Sequence, residues 1–184
     1  MKKIPQLEER EVVLDAYFQV IKDRLNSGEE GEDPYTYYSI GLQKYAVMAI
    51  ALTEENRLIV NYEYRHPCEE TLLGLPGGQV DEGEDPIEAG KRELLEETGY
   101  QGESAKEIGR CYPFPGISGQ EIVYVLIEKA RKVSEPKLEP GEVLKTAEIE
   151  LDELSRMIGR GVPIDGIMLT GLFYLRTPIS TYSK

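Results

Sequence analysis

Apolar residues recur along this chain in short runs, each closed by charged or turn-forming residues. The stretch 45–52, YAVMAIAL, is a continuous apolar run of strand length, and 58–64 follows it across the turn Glu54-Glu55-Asn56. Residues 71–75 make a short third run, and 105–112 and 122–128 read as two more strands. Residues 131–142 form a polar, proline-containing loop before a strand at 143–150. Upstream, residues 12–25 are rich in β-formers and 34–42 in tyrosine. The polar stretch NSGEEGED between them predicts the tip of a long hairpin.

Helical signals sit between these strands. Asp85 is a good N-cap, Pro86 takes the first helical position, Glu88 completes a capping box, and Gly99 supplies the stop. The spacing predicts a helix over 86–98, with Ile87 and Leu94 on an apolar face and Gly90 between them allowing close packing. A short helix capped by Asp152 ends near Gly159, and a last one runs from about Asp165 to about Arg176. The alternation predicts an α/β domain with a mixed sheet between helices. There is no internal repeat and no low-complexity segment.

The 86–98 helix also carries candidate chemistry. Glu93, Glu96 and Glu97 lie three and four residues apart on a face other than the apolar one. Like charges at that spacing cost about 0.2–0.5 kcal/mol per pair. A hard cation removes the cost, and oxygen-rich clusters suit Mg²⁺, with Mn²⁺ an alternative. Arg92, four residues before Glu96, is placed to brace that carboxylate. A plain solvated acidic helix is the competing reading. Just upstream, Leu75-Pro76-Gly77-Gly78 is a turn whose backbone can approach a ligand closely, which makes Gly78 a substrate-binding candidate.

Composition narrows the partners. The chain has 184 residues, 40% hydrophobic, enough to fill one core, and a net charge of −13. That charge argues against a nucleic-acid polymer or an anionic membrane as partner, and it requires cations and placed arginines wherever a phosphorylated substrate is to bind. Two cysteines, Cys68 and Cys111, are too few for a disulfide framework or a zinc site. The N-terminus has no apolar signal core and no run approaches membrane length, so a reducing cytoplasm is the expected compartment.

The whole segment from Gly78 to Tyr100 matches one known pattern. Gly78, Glu84, Arg92, Glu93, Leu94, Glu96, Glu97 and Gly99 fall at the defining positions of the Nudix box, and only Tyr100 departs, standing in an aliphatic slot. The chain therefore resembles the Nudix hydrolases. The resemblance implies a Nudix fold over residues 45–184, preceded by an antiparallel β extension over 1–44 that is exchanged between the subunits of a homodimer in similar proteins.

Three further segments are similar to the ADP-ribose pyrophosphatase branch. Tyr64-Arg65-His66-Pro67 resembles a motif whose arginine contacts substrate phosphates, the role implied for Arg65; pairing with Glu63 or Glu69 is the structural alternative. His66, before proline in a turn, reads as structural. Pro115, in Tyr112-Pro113-Phe114-Pro115-Gly116-Ile117-Ser118, lies where that branch walls its terminal-ribose pocket, and a simple turn explains the same residues. The N-terminal aromatics Tyr17, Phe18, Tyr35, Tyr37, Tyr38 and Tyr45 supply candidates for stacking on adenine, with Tyr37 taken as the substrate-binding one. The absence of Trp disfavours NADH-directed relatives.

The resemblance implies an enzyme that hydrolyses the pyrophosphate of ADP-ribose, or of a related nucleoside diphosphate sugar, to AMP and ribose 5-phosphate. Mg²⁺ would be held by Glu93, Glu96, Glu97 and the carbonyl of Gly77. Glu97, Glu93, Arg92 and Glu142 form the catalytic set. Glu142, in the loop LEPGEVLK, is the implied general base, with Glu139 as fallback; Lys145 stands where relatives often carry Glu. Hydrolysis of a GDP-sugar, a nucleoside triphosphatase activity, and a sensor that binds an ADP-ribose-like ligand without cleaving it remain as alternatives.

Overall fold

The computed structural model describes residues 3–28 and 31–177. They form two compact units: the segment up to Lys44 with Tyr112–Gln120, and Tyr45–Cys111 with the residues from Glu121 onward.

The first unit is an antiparallel meander of β1 (Gln6–Asp15), β2 (Gln19–Asn26) and β3 (Tyr35–Gly41). Residues 12–25, read above as one β-rich stretch, divide at Ala16–Phe18 into two strands, and β1 already begins at Gln6 within the charged N-terminal sequence. Its charges explain why that sequence pairs. Lys22 meets Glu11 at 3.1 Å and Arg24 meets Glu8 at 3.1 Å across the β1–β2 ladder, where opposite-charge pairs favour register. On the other face Arg10 grips the buried Asp23 through two bonds of 2.8 and 2.7 Å. Glu29 and Glu30, in the expected hairpin tip, lie outside the described residues. The Tyr112–Gln120 segment clusters with these strands: Ile40 N donates to Ile117 O at 2.6 Å, and Gln120 Nε2 to Gln43 O at 2.9 Å.

In the second unit β4 (Tyr45–Ala51), β5 (Arg57–Arg65), β6 (Glu70–Gly74) and β7 (Gly77–Gln79) precede helix α1 (Pro86–Thr98). After it come β8 (Tyr100–Gln101), β9 (Ser104–Cys111), β10 (Glu121–Glu128), β11 (Arg131–Lys132), β12 (Leu144–Glu150), α2 (Leu151–Gly159) and α3 (Gly166–Arg176). One sheet runs β7-β4-β10-β9, with β4 and β10 parallel and the other pairs antiparallel; a second, antiparallel sheet runs β12-β5-β6. The pair β8–β11 occupies part of the region read from sequence as plain loop.

Alternation along β4 and β10 explains the layers. Val47 and Ala49 of β4 and Val123 and Val125 of β10 point to one core, which Ala89 and Leu94 of α1 complete. Ala46, Ile50, Ile122 and Tyr124 point to the other, closed by Leu154 of α2 and Met168 of α3. Both strands are buried on both faces and so read as continuous apolar runs. The expected mixed sheet between helices is therefore present.

Local signals place α1 as the sequence predicts. Asp85 Oδ1 accepts from Ile87 N at 2.9 Å and Glu88 N at 3.3 Å, and Gly99 closes the helix at φ 73°. The capping box is half made, because Glu88 turns to Lys91 at 2.7 Å instead of back to the cap. A Cβ on Gly90 would stand 3.2 Å from Val47 and Val125, so its small size lets α1 approach the sheet. At α2 the N-cap is Glu150, without a side-chain cap bond, and Asp152 lies in the first turn rather than capping. Among the described residues no helix is long and apolar enough to cross a membrane.

Candidate active site

The acidic face of α1 is organised by one arginine. Arg92 donates from Nε and Nη2 to the two oxygens of Glu84 (3.0 Å each), from Nη1 to Glu93 (2.8 Å) and Glu96 (3.1 Å), and from Nη2 to Gln79 O (3.1 Å). The fork geometry of a guanidinium suits this many acceptors. Glu84 is thereby held below the usual carboxylate range, chiefly by its bonds to Arg92, and the Arg92 guanidinium is raised above its own, first by Glu84. Arg92 thus ties the loop before α1, the end of β7 and the helix into one piece.

Beyond Arg92 the carboxylates become costlier. Burial raises Glu93, against the pull of Arg92, and Glu96 and Glu142 add to the rise. Glu97 is buried and pushed up to about 8, by burial first and then by Glu93, while a bond from Gly77 N opposes and Glu63 and Glu142 contribute. Its Oε2 accepts from Asn61 Nδ2 of β5 at 2.7 Å and from Gly77 N at 3.2 Å. Behind it, Thr146 Oγ1 of β12 lies 3.1 Å from Asn61 Oδ1. Asn61 and Thr146 are cross-strand partners in register, which is why the two strands deliver both to one place.

The two glycines ahead of α1 allow close approach, of backbone at Gly77 and of a side chain at Gly78. A Cβ on Gly77 would collide with the carbonyl of Val47, and one on Gly78 would sit 2.5 Å from Glu93 Oε1. At Gly78 the atoms met are the end of the Glu93 side chain, so this glycine lets the carboxylate lie against the turn, and a larger residue would displace it.

The remaining predicted residues are placed as follows. Arg65, at the end of β5, pairs with Glu63 at 2.7 Å, the structural alternative noted for it above. Burial raises Glu63, Arg65 opposes this, and Glu142 and Asp165 add to it. Glu142 accepts from Glu139 N at 2.7 Å, closing a tight turn in its loop, and its charge reaches Glu63, Glu93 and Glu97. The second unit thus gathers Gly77, Gly78, Arg92, Glu93, Glu96, Glu97 and Glu142 at one site. Tyr37 and Pro115 belong to the first unit, where Tyr37 Oη donates to Gly116 O at 2.5 Å and Pro115 is exposed. Tyr45 has Arg110 over its ring, 5.5 Å from the centroid, so a guanidinium already covers one face.

The donor set fits a divalent cation. Buried, mutually repelling carboxylates are oxygen ligands whose ionised form a cation stabilises, and the glycine turn lets Glu93 lie close to the backbone of Gly78. Among the described residues no three acidic, histidine or cysteine side chains stand converged as a finished ligand cluster, since Arg92 holds Glu93 and Glu96 and Asn61 holds Glu97. A cavity of about 470 Å³ bordered by Thr53, Asn56, Ser104 and Lys129 touches none of these groups.

Asn61 and Thr146 escaped the sequence reading, and Glu63 entered it only as an ion-pair partner for Arg65. Asn61 carries a faint signal, a single amide closing the apolar run Leu58-Ile59-Val60; Thr146 carries none.

Comparison with known proteins gives a family model described as the NUDIX domain, matching residues 42–170. The chain is 33% identical over 115 residues to the ADP-ribose pyrophosphatase of Bacillus subtilis, covering 61% of this chain and 62% of that protein. It is 32% identical over 133 residues to the methanol dehydrogenase activator of Bacillus methanolicus, covering 71% of each. A solved structure described as an ADP compounds hydrolase superposes with a TM-score of 0.83 at 21% identity, over 96% of this chain and 94% of that one.

Proposed function

The chain belongs to the Nudix family, and we propose that it hydrolyses the pyrophosphate bond of ADP-ribose, or of a related nucleoside diphosphate sugar, to AMP and ribose 5-phosphate. The observation that carries this reading is the buried Glu97 beside Glu93, with Arg92 bracing the box carboxylates. The names of similar proteins support the substrate class: ADP-ribose pyrophosphatase in Bacillus subtilis and, at 37% identity over 93 residues, ADP-sugar pyrophosphatase in mouse.

Glu93, Glu96, Glu97 and the Gly77 carbonyl are the groups to hold a divalent cation, with Mg²⁺ preferred and Mn²⁺ an alternative. When bound, such a cation neutralises phosphate oxygens and lowers the pKa of water. Arg65 exchanges its contact with Glu63 for the substrate's phosphates, which its fork matches bidentately. Glu142 takes the proton from the attacking water as its oxygen bonds to one phosphorus; the P–O bond to the bridging oxygen breaks and the other phosphate leaves. Gly78 lets the substrate approach the turn closely. Tyr37 and Pro115 serve the base and terminal ribose.

The active form is a homodimer. Its support is the apolar surface of β1, where Leu7, Val12, Val13 and Leu14 are all exposed, and the residues 1–44 are the extension exchanged between subunits. Free Cys68 and Cys111 fit a cytoplasmic setting.

The test is a panel of ADP-ribose, ADP-glucose, GDP-mannose, NADH and nucleoside triphosphates with Mg²⁺, read as nucleoside monophosphate release. Preference for ADP-ribose is expected. Preference for another sugar keeps the cation chemistry and discards the assigned pocket, and tight binding without hydrolysis makes the protein a sensor.

A further inference from the structure

The polar chain behind Glu97 has a direction. Asn61 is 1% exposed, and its two amide ends meet different partners: Nδ2 donates to Glu97 Oε2 at 2.7 Å, and Oδ1 accepts from Thr146 Oγ1 at 3.1 Å. The reverse orientation would set two acceptors against each other at the ionised Glu97, so the carboxylate fixes which way the amide faces, and the Thr146 hydroxyl, also 3.5 Å from Glu97 O, gives Oδ1 its buried donor. Gly77 N donates to the same oxygen, Oε2, at 3.2 Å. Oε1 takes no hydrogen bond among the described residues. Every buried side-chain oxygen or nitrogen described has a partner, so Oε1 retains access to solvent.

We propose that Asn61, bonded from behind by Thr146, is a positioning residue that anchors one oxygen of the Glu97 carboxylate inside the protein and presents the other to the cation and substrate. Asn61 touches neither the reacting atoms nor the cation; it acts through Glu97. The arrangement removes rotational freedom from a carboxylate on the last turn of a helix, and outer partners of this kind decide how well a ligand is aimed. The assignment rests on the reading of Glu97 as a cation ligand.

The test titrates Mn²⁺ calorimetrically into the full-length protein and its variants, with melting temperature and the kcat and KM of ADP-ribose hydrolysis measured alongside. Asn61→Leu keeps the volume and removes both bonds; it is expected to weaken Mn²⁺ binding by about 10–100-fold and to lower kcat while KM holds. Thr146→Val is expected to show a smaller loss of the same kind, and Thr146→Ser to restore the parent values. A folded Asn61→Leu protein that binds Mn²⁺ as the parent does overturns the proposal. Should Asn61→Leu fail to fold, the Thr146 pair decides: equal Mn²⁺ affinity in Thr146→Val and Thr146→Ser overturns it. Glu97→Gln separates the two levels. Loss of binding there with no effect at Asn61 and Thr146 removes only the positioning role, whereas unchanged binding in Glu97→Gln removes the cation site itself.

Discussion

Two parts of the site are held in contrasting ways. Around α1 and β7 the polar side chains are tied several times over: Arg92 makes five bonds, and Glu97 Oε2 accepts two. At the end of β5 and in the 139–142 turn each group has one local tie. Arg65 has Glu63, with 45% of its side chain exposed, and Glu142 has the backbone of Glu139. Both arginines carry the same charge, yet one is saturated and the other is exchangeable. A saturated guanidinium sets the geometry of the carboxylates around it. A singly paired, half-exposed one costs little to redirect, because an exposed ion pair contributes about 0–1 kcal/mol.

The largest effect is expected at the tied part. Glu97→Gln should abolish turnover with the melting temperature close to the parent's, read by AMP release and thermal unfolding; a near-parental rate would remove the cation reading. Next comes Glu142→Gln, expected to lower kcat by about 10²–10⁴-fold as the loss of a general base. A change of only a few-fold would move that role to another carboxylate. The two arginines then sharpen the contrast directly. Arg92→Lys replaces a fork by a point charge and should lower both kcat and melting temperature, whereas Arg65→Ala should raise KM by about tenfold with stability unchanged. Equal effects of the two on stability would erase the distinction.

The smallest effect is a pH dependence of stability in chelator. Glu97 lies at about 8 in the folded protein, above the usual carboxylate value, so the folded state holds its proton more tightly than the unfolded chain. Its contribution is full at acid pH and declines as pH rises from the ordinary carboxylate range through about 8. The metal-free melting temperature should fall over that interval, and Glu97→Gln should flatten this part of the profile. A parent profile no steeper than the variant's would show that the buried carboxylate is not strained in the way described.

Much of this was legible in the chain because the interactions are local. Asp85 meets Ile87 and Glu88, Gly99 closes the helix it follows, and Arg92 reaches Glu96 one turn on. Contacts a few residues apart are written into residue spacing, so α1, its caps and its acidic face follow from sequence alone, as does the apolar run that becomes β4. The misplaced cap at Asp152 and the single stretch drawn over 12–25 failed at boundaries, where backbone pairing decides and spacing does not. Only the tertiary structure decided what stands behind and beside the carboxylates. Asn61 reaches Glu97 across 36 positions, and Thr146 reaches Asn61 across 85. No periodicity encodes such pairs; they exist because β5 and β12 align in register under the end of α1. The residues that carry charge were determined by the sequence, and the direction in which the buried one faces was settled by folding.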